Sequence, residues 1–157
     1  MAVLLDSGIL FAYYDRSDAW HPAAGEILEN ESGALLVPSA VIPEVDHMLR
    51  SRLGRDARDD FYRGFLEAHY LVVDLPQERF ARVVELNRRY VDLDLGFVDA
   101  ALVAVAESLD LRRIATTDRR HFEPVARELG LELLPATSPT ARSRAPSTGK
   151  RSRTPRP

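Results

Sequence analysis

The sequence contains no cysteine, and lysine occurs only once, at position 150. The first absence excludes disulfides, thiolate zinc sites and a cysteine nucleophile. The second leaves the whole chain before Lys150 without an ammonium group to grip a phosphoryl oxygen. Histidine is scarce too: His21, His47, His69 and His121 stand far apart and match no metal spacing such as HExxH, so each reads as a surface or hydrogen-bonded histidine. Long apolar runs are also missing. Ala2 to Leu5 is strand-sized with no basic residue before it, and Ala100 to Ala106 is far too short to span a bilayer. No membrane segment is expected, and a cytoplasmic protein is.

The 157 residues suit one domain with an ordinary core, and 45% apolar with 29% charged residues describes a soluble globular chain. Charge is unevenly placed. Residues 136 to 157 hold six of the 21 basic residues and no acid, which leaves 15 basic against 24 acidic residues before them. So acidic a body is no generic polyanion binder, and a nucleic-acid substrate would need local arginines or metal ions.

Strand and helix patterns alternate along the chain. Val3 to Leu5 reads as a strand ending at Asp6, with Ser7 and Gly8 turning into the apolar run Ile9 to Tyr14. A second helix is predicted from Asp18, capped by Ser17 or Asp18. Leu35 to Pro38 is the next strand. Ser39 then opens a helix with Val41, Val45, Met48, Leu49 and Leu53 inward, closed by Gly54. On that helix Glu44 borders the apolar face, while Asp46 points away toward Arg50 at i+4. Arg55 to His69 is a charged helix with Phe61, Phe65 and Leu66 inward, followed by a strand at Leu71 to Val73. Pro76 starts a further helix carrying Phe80, Val83, Val84 and Leu86 inward.

From Phe97 to Leu109 nearly every position is apolar, so this helix should be covered on most sides. Asp99 lies in its first turn. The helix dipole favours a carboxylate there, but the surroundings penalise an ion without a partner, so something positive should face it. Arg113 to Thr116 is a short strand with Asp118 just past its end. A helix from about Phe122 to Leu129 and a strand at Leu131 to Leu134 complete the domain near Pro135. The alternation predicts an α/β fold, a mostly parallel sheet with helices on both faces. From Ala136 the composition turns to Ser, Thr, Pro and Arg without periodicity, and residues 136 to 157 are expected to be a disordered basic tail that helps recruit a polyanion.

Asp6, Glu44, Asp99 and Asp118 all fall near strand ends or helix starts. The C-terminal ends of parallel strands share one edge, so acids distant in sequence can converge there. Such like charges raise one another's pKa unless a cation neutralises them, and Mg2+ or Mn2+ is the hard, oxygen-seeking candidate. Taken singly each acid has an ordinary reading: Asp6 in an Asx-turn, Glu44 as a solvated helix residue, Asp118 as an N-cap. Asp99 is the hardest to explain in that way. The hydroxyls of Ser7 and Thr116 can orient carboxylates or a metal-bound water, or simply bond their own turns; Arg119, Arg120 and His121 read first as surface charge, and beside a metal they can hold phosphate.

The segments LLDSG, PEVDHMLRSRLG, FVDAALVAVAE and IATTDRRHF resemble, in order, the motifs of PIN-domain ribonucleases, specifically VapC-type toxins of toxin–antitoxin pairs. The likeness covers residues 1 to about 135. It implies a three-layer PIN-like sandwich and a Mg2+- or Mn2+-dependent endoribonuclease that hydrolyses RNA through a metal-activated water. It also implies a cognate antitoxin partner and a homodimer. Matched position by position, the acidic site falls on Asp6, Glu44, Asp99 and Asp118, with Asp6, Asp99 and Asp118 on the metal and Ser7 and Thr116 as polar neighbours. Pro43 directly before Glu44 departs from the pattern. Two other readings compete: a phosphotransfer protein using Asp6, which the missing lysine disfavours, and a non-catalytic domain whose helices bind a partner.

Overall fold

The computed structural model describes residues 1–139. Of the tail expected over 136 to 157, residues 140 to 157 lie outside the described residues. In chain order the elements are β1 (Val3–Leu5), α1 (Ser7–Tyr14), α2 (His21–Asn30), β2 (Leu35–Pro38), α3 (Ile42–Arg52), α4 (Arg55–Leu66) and β3 (Tyr70–Val73). They continue with α5 (Phe80–Arg89), α6 (Gly96–Ser108), β4 (Arg113–Ala115), α7 (Arg119–Leu129) and β5 (Glu132–Leu134). The strands form one sheet in the order β3-β2-β1-β4-β5, and every pairing is parallel. Leu4 sits opposite Leu36 on one side and Ile114 on the other. Such central strands are covered on both faces, which is why β1 reads as three consecutive apolar residues, all fully buried.

Right-handed crossovers with this order put α1 to α4 on one face and α5 to α7 on the other. The packing agrees: α1 lies against α2 and α3, α3 against α4, and α5 against α6. Under α1 and α4, Tyr14, Phe61, Phe65 and Tyr70 stack edge to face, and the Tyr14 and Tyr70 hydroxyls meet at 3.0 Å. On the second face α6 is buried from Ala100 to Ala106, so the predicted covered helix is found. The chain enters it through two left-handed residues, Asp94 and Gly96. Burying Val83 and Leu86 against α6 turns α5 so that Arg82 reaches Glu107, donating Nε–H and Nη2–H at 2.8 and 2.7 Å.

Several local expectations need correction. Helix α2 starts at His21 with Pro22 in its first turn, and the Asp18 carboxylate accepts the Trp20 N–H in the preceding turn instead of capping the helix. Proline lacks the N–H that a first turn leaves unbonded anyway, so it sets where the helix begins. Pro43 does the same in α3, which begins at Ile42. The Asp46 carboxylate takes the Tyr62 hydroxyl of α4 rather than Arg50, since an exposed i,i+4 pair is worth only a few tenths of a kcal/mol. Leu66, at the end of α4, is 86% exposed, and Phe80 and Val84 are about half exposed because the stripe facing α6 is carried by Val83 and Leu86.

Candidate active site

At its C-terminal edge the sheet reverses its winding: the chain leaves β1 toward β2, while β4 lies on the other side of β1. Open α/β sheets bind ligands at such a crevice. Asp6 caps α1 at this point. Its backbone N–H donates to the Ala115 carbonyl at 2.9 Å, tying the end of β1 to β4. Its carboxylate accepts the Ser7 N–H on Oδ1 and the Thr116 hydroxyl on Oδ2, both at 2.7 Å. The Thr116 oxygen in turn accepts the Asp118 N–H at 2.9 Å. One fully buried threonine therefore links the acid after β1 to the turn after β4.

Asp118 caps α7 by accepting the His121 N–H on Oδ1 at 3.1 Å. The His121 ring comes back over the cap, with Nδ1 at 3.0 Å from Oδ2 of Asp118 and 3.0 Å from Oδ2 of Asp99. Asp99 reaches the cluster from the first turn of α6. Glu44 lies exposed in the first turn of α3, close enough for its charge to act on Asp6.

Burial is the main cause that pushes the Asp6 carboxyl above its ordinary range; the charges of Glu44 and Asp118 add to it, and the Thr116 and Ser7 hydrogen bonds oppose it. Asp99 is pushed up to about 7, again mainly by burial, with the charges of Asp6 and Asp118 adding and His121 opposing. Among the described residues no arginine or lysine makes an ion pair with Asp6, Asp99 or Asp118; His121 is the only basic side chain bonded to two of them. Where a positive partner is expected for Asp99, the one basic side chain facing it among the described residues is the His121 imidazole. Carboxylates so placed, hard oxygen donors short of positive charge, fit a divalent cation, and Asp99, Asp118 and His121 offer ligand atoms within 4.8 Å of one another.

The PIN domain family matches residues 3–128. A VapC ribonuclease of Archaeoglobus fulgidus is 30% identical over 135 residues, 82% of this chain and 85% of the relative. The chain belongs to the PIN domain family and, within it, to the VapC ribonucleases. Ribonuclease VapC26 of Mycobacterium tuberculosis is 29% identical over 120 residues, 76% of this chain and 89% of the relative. Two solved structures share the fold. Mycobacterium tuberculosis VapC20, a sarcin–ricin loop cleaving toxin, superposes with a TM-score of 0.70 at 19% identity, covering 78% of this chain and 94% of its own. Rickettsia felis VapBC2, bound to a DNA fragment from its promoter, gives 0.60 at 15% identity over 85% and 97%.

In this PIN domain the sequence reading of Arg119 meets a different geometry. Its guanidinium lies over the Trp20 ring at 5.8 Å and donates to the Pro135 carbonyl, so its partners are an aromatic face and a backbone oxygen, not the acid cluster. Arg120 remains exposed. His121, read from sequence as a surface or hydrogen-bonded histidine, sits inside the acid cluster, between Asp99 and Asp118. The only local signal for this is its place three residues after a capping aspartate, which brings a side chain back over the cap.

Proposed function

We propose that Asp6, Asp99 and Asp118 hold a divalent ion, Mg2+ or Mn2+, and that the protein uses it to cut RNA as the toxin of a toxin–antitoxin pair. The ribonuclease activity comes with the VapC family; the assignment of residues to roles is the proposal. The observation that carries it is the gathering of Asp6, Asp99 and Asp118 at one sheet edge, with burial raising the proton affinity of Asp6 and Asp99 and no arginine or lysine paired to the three among the described residues. A bound divalent ion supplies positive charge to the phosphodiester and makes water a stronger nucleophile at neutral pH.

The chain's own residues do the rest. Thr116 and Ser7 fix Asp6 in one orientation, and Asp118 is fixed by its cap. Glu44 is exposed and its carboxylate makes no hydrogen bond or ion pair among the described residues, which leaves it free to take the proton from the attacking water. The water oxygen bonds to phosphorus as one ester oxygen leaves and takes up a proton from solvent, with no covalent enzyme intermediate. Arg120, at the exposed rim, contacts a flanking phosphate. An aspartyl phosphotransfer role is set aside, because the family is a different one and the described residues contain no lysine.

The partner reading rests on exposed apolar residues. Tyr62 and Leu66 on α4 stand 40% and 86% exposed among charged neighbours, a surface suited to an amphipathic segment of an antitoxin. On α5 and α6, Phe80, Val84 and Phe97 are each about half exposed, with the two phenylalanine rings 6.0 Å apart, and a second copy is proposed to cover them. No helix among the described residues is long and apolar enough to cross a membrane, and the cytoplasm, where RNA and antitoxin are made, is the proposed location. The decisive experiment is cleavage of a labelled RNA by wild type and Asp99→Ala with Mg2+, Mn2+ or chelator. Metal-dependent cutting by wild type alone is expected; full activity in Asp99→Ala would overturn the assignment.

A further inference from the structure

We propose that His121 is a positioning residue whose ring N–H, shared between Asp99 on α6 and Asp118 at the start of α7, holds these two acids at the separation a cation needs. The inference rests on the metal site proposed above and concerns how the chain keeps that site assembled.

The ring nitrogen Nδ1 lies 3.0 Å from a carboxylate oxygen on each side. An ionised carboxylate oxygen only accepts, so a lone pair on Nδ1 would face two negative groups; the hydrogen therefore belongs on Nδ1. The same residue also gives its backbone N–H to the other oxygen of Asp118. His121 thus holds both oxygens of Asp118 and one of Asp99. Among the described residues no other side-chain hydrogen bond joins α6 to α7. The arginine nearest in sequence that is partly buried, Arg119, is turned toward Trp20 and Pro135.

Without this bridge, two acids on separate helices would lose their shared donor while still repelling each other. A residue that orients metal-binding carboxylates from behind typically contributes about 10- to 100-fold to metal affinity. His121 could instead bind the ion through Nδ1, but that nitrogen would have to surrender its hydrogen and both bonds at once. The two roles differ in metal preference, because a nitrogen ligand favours Mn2+ over Mg2+ whereas a bridge serves both alike.

The test is calorimetric titration of the full chain with Mg2+ and with Mn2+, for wild type, His121→Ala and His121→Asn, with thermal melting of the same metal-free samples. Asparagine can place an amide N–H where Nδ1 stands. His121→Ala should bind both ions at least about tenfold more weakly, and by similar factors, with His121→Asn recovering most of the loss. Unchanged affinity in His121→Ala would overturn the proposal. So would a loss confined to Mn2+ that asparagine does not restore, which would make His121 a ligand. If wild type bound neither ion, the metal-site reading would fail by itself. The melting curves would still decide the bridge: His121→Ala melting lower with His121→Asn restored supports it, and equal melting of all three overturns it.

Discussion

Replacing Asp99 by asparagine should stabilise the metal-free protein and at the same time abolish its response to metal. Asparagine keeps the shape and an oxygen that can still accept from His121, but removes a charge that burial and the Asp6 and Asp118 carboxylates oppose. With the Asp99 carboxyl raised from 3.8 to about 7, the unfolded chain releases its proton first as pH rises. Wild-type stability from this group is therefore full below about pH 4 and is lost between there and about pH 7. Three units at about 1.4 kcal/mol each set a ceiling of about 4 kcal/mol, and solvent screening on the open side of the cluster brings it to about 2 kcal/mol. For a chain of this size that is about 6 °C in melting temperature. Ion at about 100 times its Kd adds roughly 2.7 kcal/mol to wild type, so the order of the two proteins should reverse. The assay is thermal or urea unfolding at about pH 5 and pH 8, with chelator and with Mn2+. An asparagine variant no more stable than wild type at pH 8 without metal, or a gap that does not shrink toward pH 5, would refute the reasoning.

Thr116→Val removes the donor to Asp6 and the acceptor for the Asp118 N–H inside a buried site, which should cost about 2–4 kcal/mol in urea unfolding and weaken metal binding, with Thr116→Ser retaining both. Gly64→Ala places a methyl carbon 2.4 Å from the ring of Tyr70; that ring is only 2% exposed and has nowhere to move, so about 1–3 kcal/mol of stability should be lost with metal affinity unchanged. Removing residues 140–157, which carry all six tail charges, should weaken RNA binding more at low salt than at high salt while the metal requirement persists; equal affinities at both salts would end the recruiting role.

Much of this protein was legible without coordinates. Alternating short apolar strands and amphipathic helices define the α/β class because backbone pairing and helix burial impose different periods on the chain. Asp99 stood out because an acid in a helix that is apolar all round demands a partner. Asp6 and Asp118 stood out because both follow short strands, and the order of the four motifs pointed to the family. Tertiary structure alone placed β4 beside β1 and so brought the acid after one strand within reach of the threonine after the other. It also separated residues that look alike in the string. Arg119 was turned onto Trp20, Leu66 left in solvent, and His121 set between two acids, one of them 22 positions earlier in the chain. Local patterns restrict what a side chain can bond to, but an arginine or histidine beside a helix cap has several partners of nearly equal energy. Which one it takes depends on what other elements bring within about 3 Å, and that is a property of the assembled fold.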